Sequence, residues 1–92
     1  MKPPAFNFMA EVNKGEYMFL IKESPKWKVV FFKNGKTINK TCTTDARMLR
    51  YVRRKTGKLP IIPTMEKKAL LKGSWNESDD EFIIFGENEN PE

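Results

Sequence analysis

Asn34-Gly35 sits directly behind Trp27-Lys28-Val29-Val30-Phe31-Phe32-Lys33, a run of β-branched and aromatic residues. That pairing constrains the fold more than any other feature of the chain. A two-residue type I′ turn needs positive φ at both central positions, which Asn and Gly tolerate, so the chain reverses there as a hairpin. The returning strand is Lys36-Thr37-Ile38-Asn39-Lys40-Thr41-Cys42. A turn of fixed length fixes the register: Lys33 faces Lys36, Phe31 faces Ile38, Val29 faces Lys40 and Trp27 faces Cys42. One face then carries Trp27, Val29, Phe31, Ile38 and Cys42, and is the expected core. The other carries Lys28, Val30, Phe32, Thr37, Asn39 and Thr41, and is expected to be the more polar.

Two strands precede the hairpin. Phe6 to Val12 alternates large apolar residues with others, Asn13-Lys14-Gly15-Glu16 supplies a turn, and Tyr17 to Lys22 is apolar on both faces before Ser24-Pro25 breaks it. After the hairpin, Thr43-Thr44-Asp45 is a cluster of N-cap residues, and Ala46 to Lys55 reads as a helix stopped by Gly57. Leu59-Pro60-Ile61-Ile62-Pro63 is expected to be a stiff, packed connector. Thr64 is placed as the cap of a second short helix over Met65 to Lys72. Phe82-Ile83-Ile84-Phe85 reads as a short strand, and Gly86 to Glu92 as a disordered end. The fold class is α+β: a curved antiparallel β-meander of four to five strands, with one basic helix and a second short helix. Three strands apolar on both faces exceed what two short helices cover. The sheet must therefore curl into a partial barrel or leave an apolar patch for a partner.

Charge divides the chain in two. All 17 Lys and Arg residues lie in residues 1–75 with five carboxylates, giving +12; the other seven carboxylates lie in residues 76–92, giving −7 and the net +5. Residues 1–75 are thus a compact basic binding domain, and residues 76–92 an acidic segment placed to mask it electrostatically.

The basic charge concentrates on the helix. At about 100° per residue, Met48, Leu49 and Val52 share one arc, while Arg47, Arg50, Arg53 and Arg54 share the opposite one, with Tyr51 at the border and Lys55 and Lys58 following. Guanidinium forks match phosphate oxygens, and a flanking Tyr can stack on a base. Lys28, Lys36 and Lys40 ring the hairpin and make a second cationic surface. Three strands followed by a basic helix are similar in order to three-stranded-sheet DNA-binding domains at the start of some integrases, a likeness of topology alone. At the acidic end, Phe82, Ile83, Ile84 and Phe85 read either as a partner-docking peptide or as a strand of the chain's own sheet.

The sequence excludes most chemistry. Histidine is absent and Cys42 is the single cysteine, so no Cys–His pair exists, and no phosphate-cradling glycine loop or metal-ligand spacing occurs. No cofactor or metal is expected. No apolar run reaches the length of a membrane span, and one unpaired cysteine suits an intracellular setting. The expected function is non-enzymatic binding of nucleic acid, DNA or RNA, by the arginine-rich helix and lysine-ringed hairpin. The runner-up is a small inhibitor or adaptor, of a viral kind, that binds an acidic surface on a host or toxin protein. A homodimer through an apolar sheet face is the third reading.

Overall fold

The computed structural model describes residues 6–65 and 81–87. Four strands run as a meander: β1 (Phe8–Asn13), β2 (Glu16–Glu23), β3 (Lys26–Lys33) and β4 (Lys36–Cys42). They lead into the helix α1 (Asp45–Thr56), then β5 (Leu59–Ile61), β6 (Phe82–Ile84) and β7 (Gly86–Glu87). The main sheet has the order β4-β3-β2-β1-β7 with antiparallel neighbours, and β5 pairs with β6 in parallel as a separate ribbon. The fold is α+β.

The hairpin folds in the register its turn dictates. Asn34 and Gly35 adopt φ values of 53° and 76°, and the pairs Lys33–Lys36, Phe31–Ile38, Val29–Lys40 and Trp27–Cys42 all form. The face carrying Trp27, Val29 and Phe31 joins Phe8, Ala10 and Val12 of β1, Met18 and Leu20 of β2, and Cys42. It receives Met48, Leu49 and Val52 from α1. Ile62, Ile83 and Phe85 close the same core. Ile38 departs from expectation: it points to this face but is 46% exposed, because β4 is the edge strand and α1 does not extend over it.

Several expectations are corrected. The connector at 59–63 contains β5, whose ribbon forms because Leu59 donates its N–H to the carbonyl of Glu81 and Phe85 donates to that of Ile61 (both 2.9 Å). Pro60 is tolerated because a two-stranded ribbon leaves one side of each strand unpaired. Gly86 and Glu87, expected to be disordered, add β7 to β1. The sheet face away from α1 is also less polar than the hairpin alone suggested. Phe19 and Val30 face each other there and are buried, and Phe6 lies against Phe19 with ring centroids 5.1 Å apart. Apolar side chains of β2 and β3 supply that second cluster, while Lys28 of β3 and the Thr37, Asn39 and Thr41 positions of β4 keep the hairpin's share of that face polar. The sheet is open, with β4 and β7 as its edges, rather than closed into a partial barrel. The second short helix falls outside the described residues beyond Met65, and Pro63, Thr64 and Met65 form a turn.

Phe31 and Ile38 are register partners with opposite burial, which makes them a paired test. Phe31→Ala should cost about 3–5 kcal/mol in urea unfolding, whereas Ile38→Ala should cost about 0.5 kcal/mol or less.

Candidate functional site

α1 is set over the sheet by both of its ends. Thr44 has extended backbone and its hydroxyl accepts the N–H of Arg47 at 3.2 Å, which caps the first turn. Gly57 adopts φ 75° and donates its N–H to the carbonyl of Arg53 at 2.7 Å, closing the last turn as glycine alone does readily. Trp27 donates its indole N–H to the Asp45 carboxylate at 2.6 Å, and ten residues later the Lys55 ammonium lies 5.6 Å from the Phe31 ring centroid. Trp27 and Phe31 are four residues apart on one face of β3. α1 therefore runs along β3 in the same sense and antiparallel to β4.

Between β4 and α1 this arrangement opens a cleft of about 430 Å³. Its cations are Lys40 from the strand and Arg47, Arg50 and Arg54 from the helix. Thr41, Cys42 and Thr43 complete the strand side, and Tyr51 the helix side. Among the described residues no carboxylate lines it. The helix has one acid, Asp45, and that group is turned away to Trp27. Among the described residues no salt bridge engages Lys40, Arg47, Arg50 or Arg54; the ion pair that does form, Lys33 with Glu16 at 3.1 Å, lies at the far end of the hairpin.

The weak acids of the cleft are held neutral. Burial pushes the Cys42 thiol up, and the nearby Lys40 and Arg47 charges only partly offset it. Burial also pushes the Tyr51 phenol up, helped slightly by Cys42. A neutral phenol adds no negative charge where an anion would sit. Cys42 is 4% exposed and packs in the core, so it acts as a small hydrophobe.

The candidate residues separate into distinct places. Arg47, Arg50, Tyr51, Arg54 and Lys40 come together in the cleft. Arg53 is half-buried on the other flank of the helix, where the stripe against the core begins. Lys55 lies over Phe31, and Lys58 reaches back to donate to the carbonyl of Val12 at 2.9 Å, so both serve the packing of the body. Lys36 sits at the hairpin end beside a smaller recess formed with Phe31, Lys33, Asn34 and Ile38. Lys28 lies on the opposite face of the sheet and is half-buried. At the acidic end, Ile83 and Phe85 fill the core, Phe82 is half-buried and Ile84 is exposed.

Thr43 is the cleft residue that the sequence reading passed over as a mere cap candidate. Its signal was present: Cys42 ends β4 and Asp45 begins α1, so a two-residue link must fold the helix back beside the strand. Among the described residues no three of His, Cys, Asp and Glu lie close enough to hold a metal ion, and no helix is long and apolar enough to cross a membrane. No protein-family model, curated protein or solved structure matches this chain.

Lys58 is assigned to the body and not to the cleft. Lys58→Met should lower stability by about 1–3 kcal/mol through loss of a charged hydrogen-bond donor to Val12. Unfolding in urea checks this, and the protein that stays folded should keep any anion affinity of the cleft.

Proposed function

We propose that this protein binds nucleic acid without catalysing a reaction on it, through the cationic cleft between β4 and α1. The observation that carries the reading is the convergence of Lys40, Arg47, Arg50 and Arg54 on one recess from which the helix's carboxylate has been withdrawn. Each guanidinium presents a planar fork that meets two phosphate oxygens, and like-charged groups held together with no carboxylate among the described lining residues favour a polyanion over any neutral ligand. Non-catalytic binding fits a chain that lacks histidine and whose cysteine is buried and neutral. A buried free thiol also suits an intracellular setting.

A second reading rests on a different feature. Ile38 is exposed on the edge strand beside Lys33 and Lys36, next to the apolar recess floored by Phe31. An acidic strand of a host or toxin protein laid along β4 would meet those lysines and cover Ile38, whereas two copies of β4 would set lysine against lysine. The two readings separate by salt. Phosphate binding weakens linearly in log[salt] as counterions are released, while an interface anchored on apolar groups resists moderate salt.

Arg50→Glu with Arg54→Glu should reduce nucleic-acid affinity by about a hundredfold or more at 0.1 M salt, measured by fluorescence anisotropy. Thermal stability should stay within about 0.5 kcal/mol, since both side chains are exposed. A double variant that binds as the parent does would remove the cleft from the reading. Affinity should also be flat from about pH 6 to 8, because the Cys42 and Tyr51 shifts lead away from that range. A titration step within that window would mean that another group carries the binding.

A further inference from the structure

We infer that the cleft is shaped for a single strand, with one base laid against Tyr51 and the flanking phosphates on the arginines and Lys40. The inference rests on the nucleic-acid reading and narrows it to the class of nucleic acid. Size is the first argument. A recess of about 430 Å³, half open to solvent, has room for one small ligand or one nucleotide unit. A duplex could lay one backbone along it, but its bases stay stacked and paired inward, out of reach of a ring on the cleft wall.

Span is the second argument. Arg47 and Arg54 are seven residues apart on α1, so the arginine row covers about 10 Å of helix axis. That length serves two to four phosphates with Lys40 facing across, against the roughly six to ten that a strongly salt-dependent duplex binder contacts.

The third argument is the aromatic ring. Tyr51 lines the cleft between Arg50 and Arg54 in sequence, is half-buried against the core and keeps a neutral phenol. A ring held by packing on one side and open on the other is a stacking platform that accepts any base.

The hairpin supports the same conclusion by what it does not form. A β-ribbon entering a duplex groove needs its cations on one surface. Lys36 and Lys40 alternate onto the α1 side of the sheet, whereas Lys28, paired with Thr41, is on the opposite side. The lysines are split between two faces, so the hairpin makes no single groove-filling surface.

The test uses the full chain and fluorescein-labelled 12-mers in anisotropy titrations: oligothymidylate, oligouridylate, a mixed-sequence duplex, and an abasic single strand that keeps the phosphates. At 0.05 M salt, the single strands should bind at least tenfold tighter than the duplex. The slope of log K against log[salt] should be about −1.5 to −3, given roughly 0.7 per phosphate neutralised on a single strand. The abasic strand should bind about tenfold weaker than oligothymidylate. Tyr51→Phe should hold affinity within about twofold and Tyr51→Leu should lose about tenfold, in line with the stacking contribution of one base. The abasic comparison needs no variant, so it decides the role of the base even where Tyr51→Leu folds poorly. Duplex binding as tight as single-strand binding would overturn the single-strand inference and leave nucleic-acid binding standing. Equal binding of abasic and normal strands would overturn the base contact. Absence of binding to all four probes at low salt would overturn both the inference and the reading beneath it.

Discussion

The hydrogen bond from the Trp27 indole to Asp45 is the contact on which the rest of the arrangement depends. Trp27 is 1% exposed, packed against Phe8 at 6.2 Å between centroids, with the Lys22 ammonium 5.5 Å from its ring. An indole N–H buried so completely needs an acceptor, and a carboxylate gives it a charge-assisted one at 2.6 Å. The acceptor is the first residue of α1, so the bond fixes where the helix begins over β3. It also bears on the electrostatics of the cleft, because the one negative group of the helix is bonded to the Trp27 indole and does not line the cleft with the arginines. Structure and charge are set by the same two residues. A helix of 12 residues is marginal on its own. Its position therefore comes from this bond at one end, from Met48, Leu49 and Val52 along its length, and from Lys55 over Phe31 at the other end.

What the sequence made legible was local. Asn34-Gly35 determined a turn, the turn determined a register, and the register placed Trp27, Val29, Phe31 and Cys42 on one side. The buried arc of α1 followed from its period, and its ends from Thr44 and Gly57. Contacts between segments far apart in the chain were not legible. β5 and β6 are separated by 20 residues and pair in parallel, and Pro60 in the middle of β5 argues against a strand for any reader of local propensity. The burial of Phe19 against Val30 was hidden for a related reason. Each strand showed two apolar faces, but which neighbours lay beside them depends on the order of the sheet.

The site was half legible in the same sense. Arg47, Arg50, Tyr51 and Arg54 were recognisable as one cationic surface, and Lys40 as part of another. The cleft exists because these surfaces meet, which required the short link through Thr43 to lay the helix back along β4. Periodicity grouped Arg53 with the arginines that line the cleft. Arg53 lies near the edge of the exposed arc, and a ~100° step does not reveal that the body of the protein rises against that flank of the helix. Lys58 stands apart from the cleft for a simpler reason. A long side chain can turn back to a backbone carbonyl, here that of Val12, and composition shows only its charge.

The charge segregation along the chain acquires a spatial meaning in the sheet. Glu87 belongs to β7 at one edge, and the cleft is bordered by β4 at the other, with three strands between them. Four strand spacings amount to about 19 Å, nearly twice the Debye length of about 10 Å at 0.1 M salt. Folding thus separates what the sequence merely lists in succession. The apolar run of the acidic end is drawn into the core through Ile83 and Phe85, and Glu87 is anchored at the edge farthest from the arginines. Glu87 held there leaves the cleft's potential nearly intact, where a carboxylate beside Arg50 or Arg54 would have cancelled it. Glu87 lowers the net charge and is still compatible with a strongly cationic site, because distance across five strands does what charge counting along the chain cannot express.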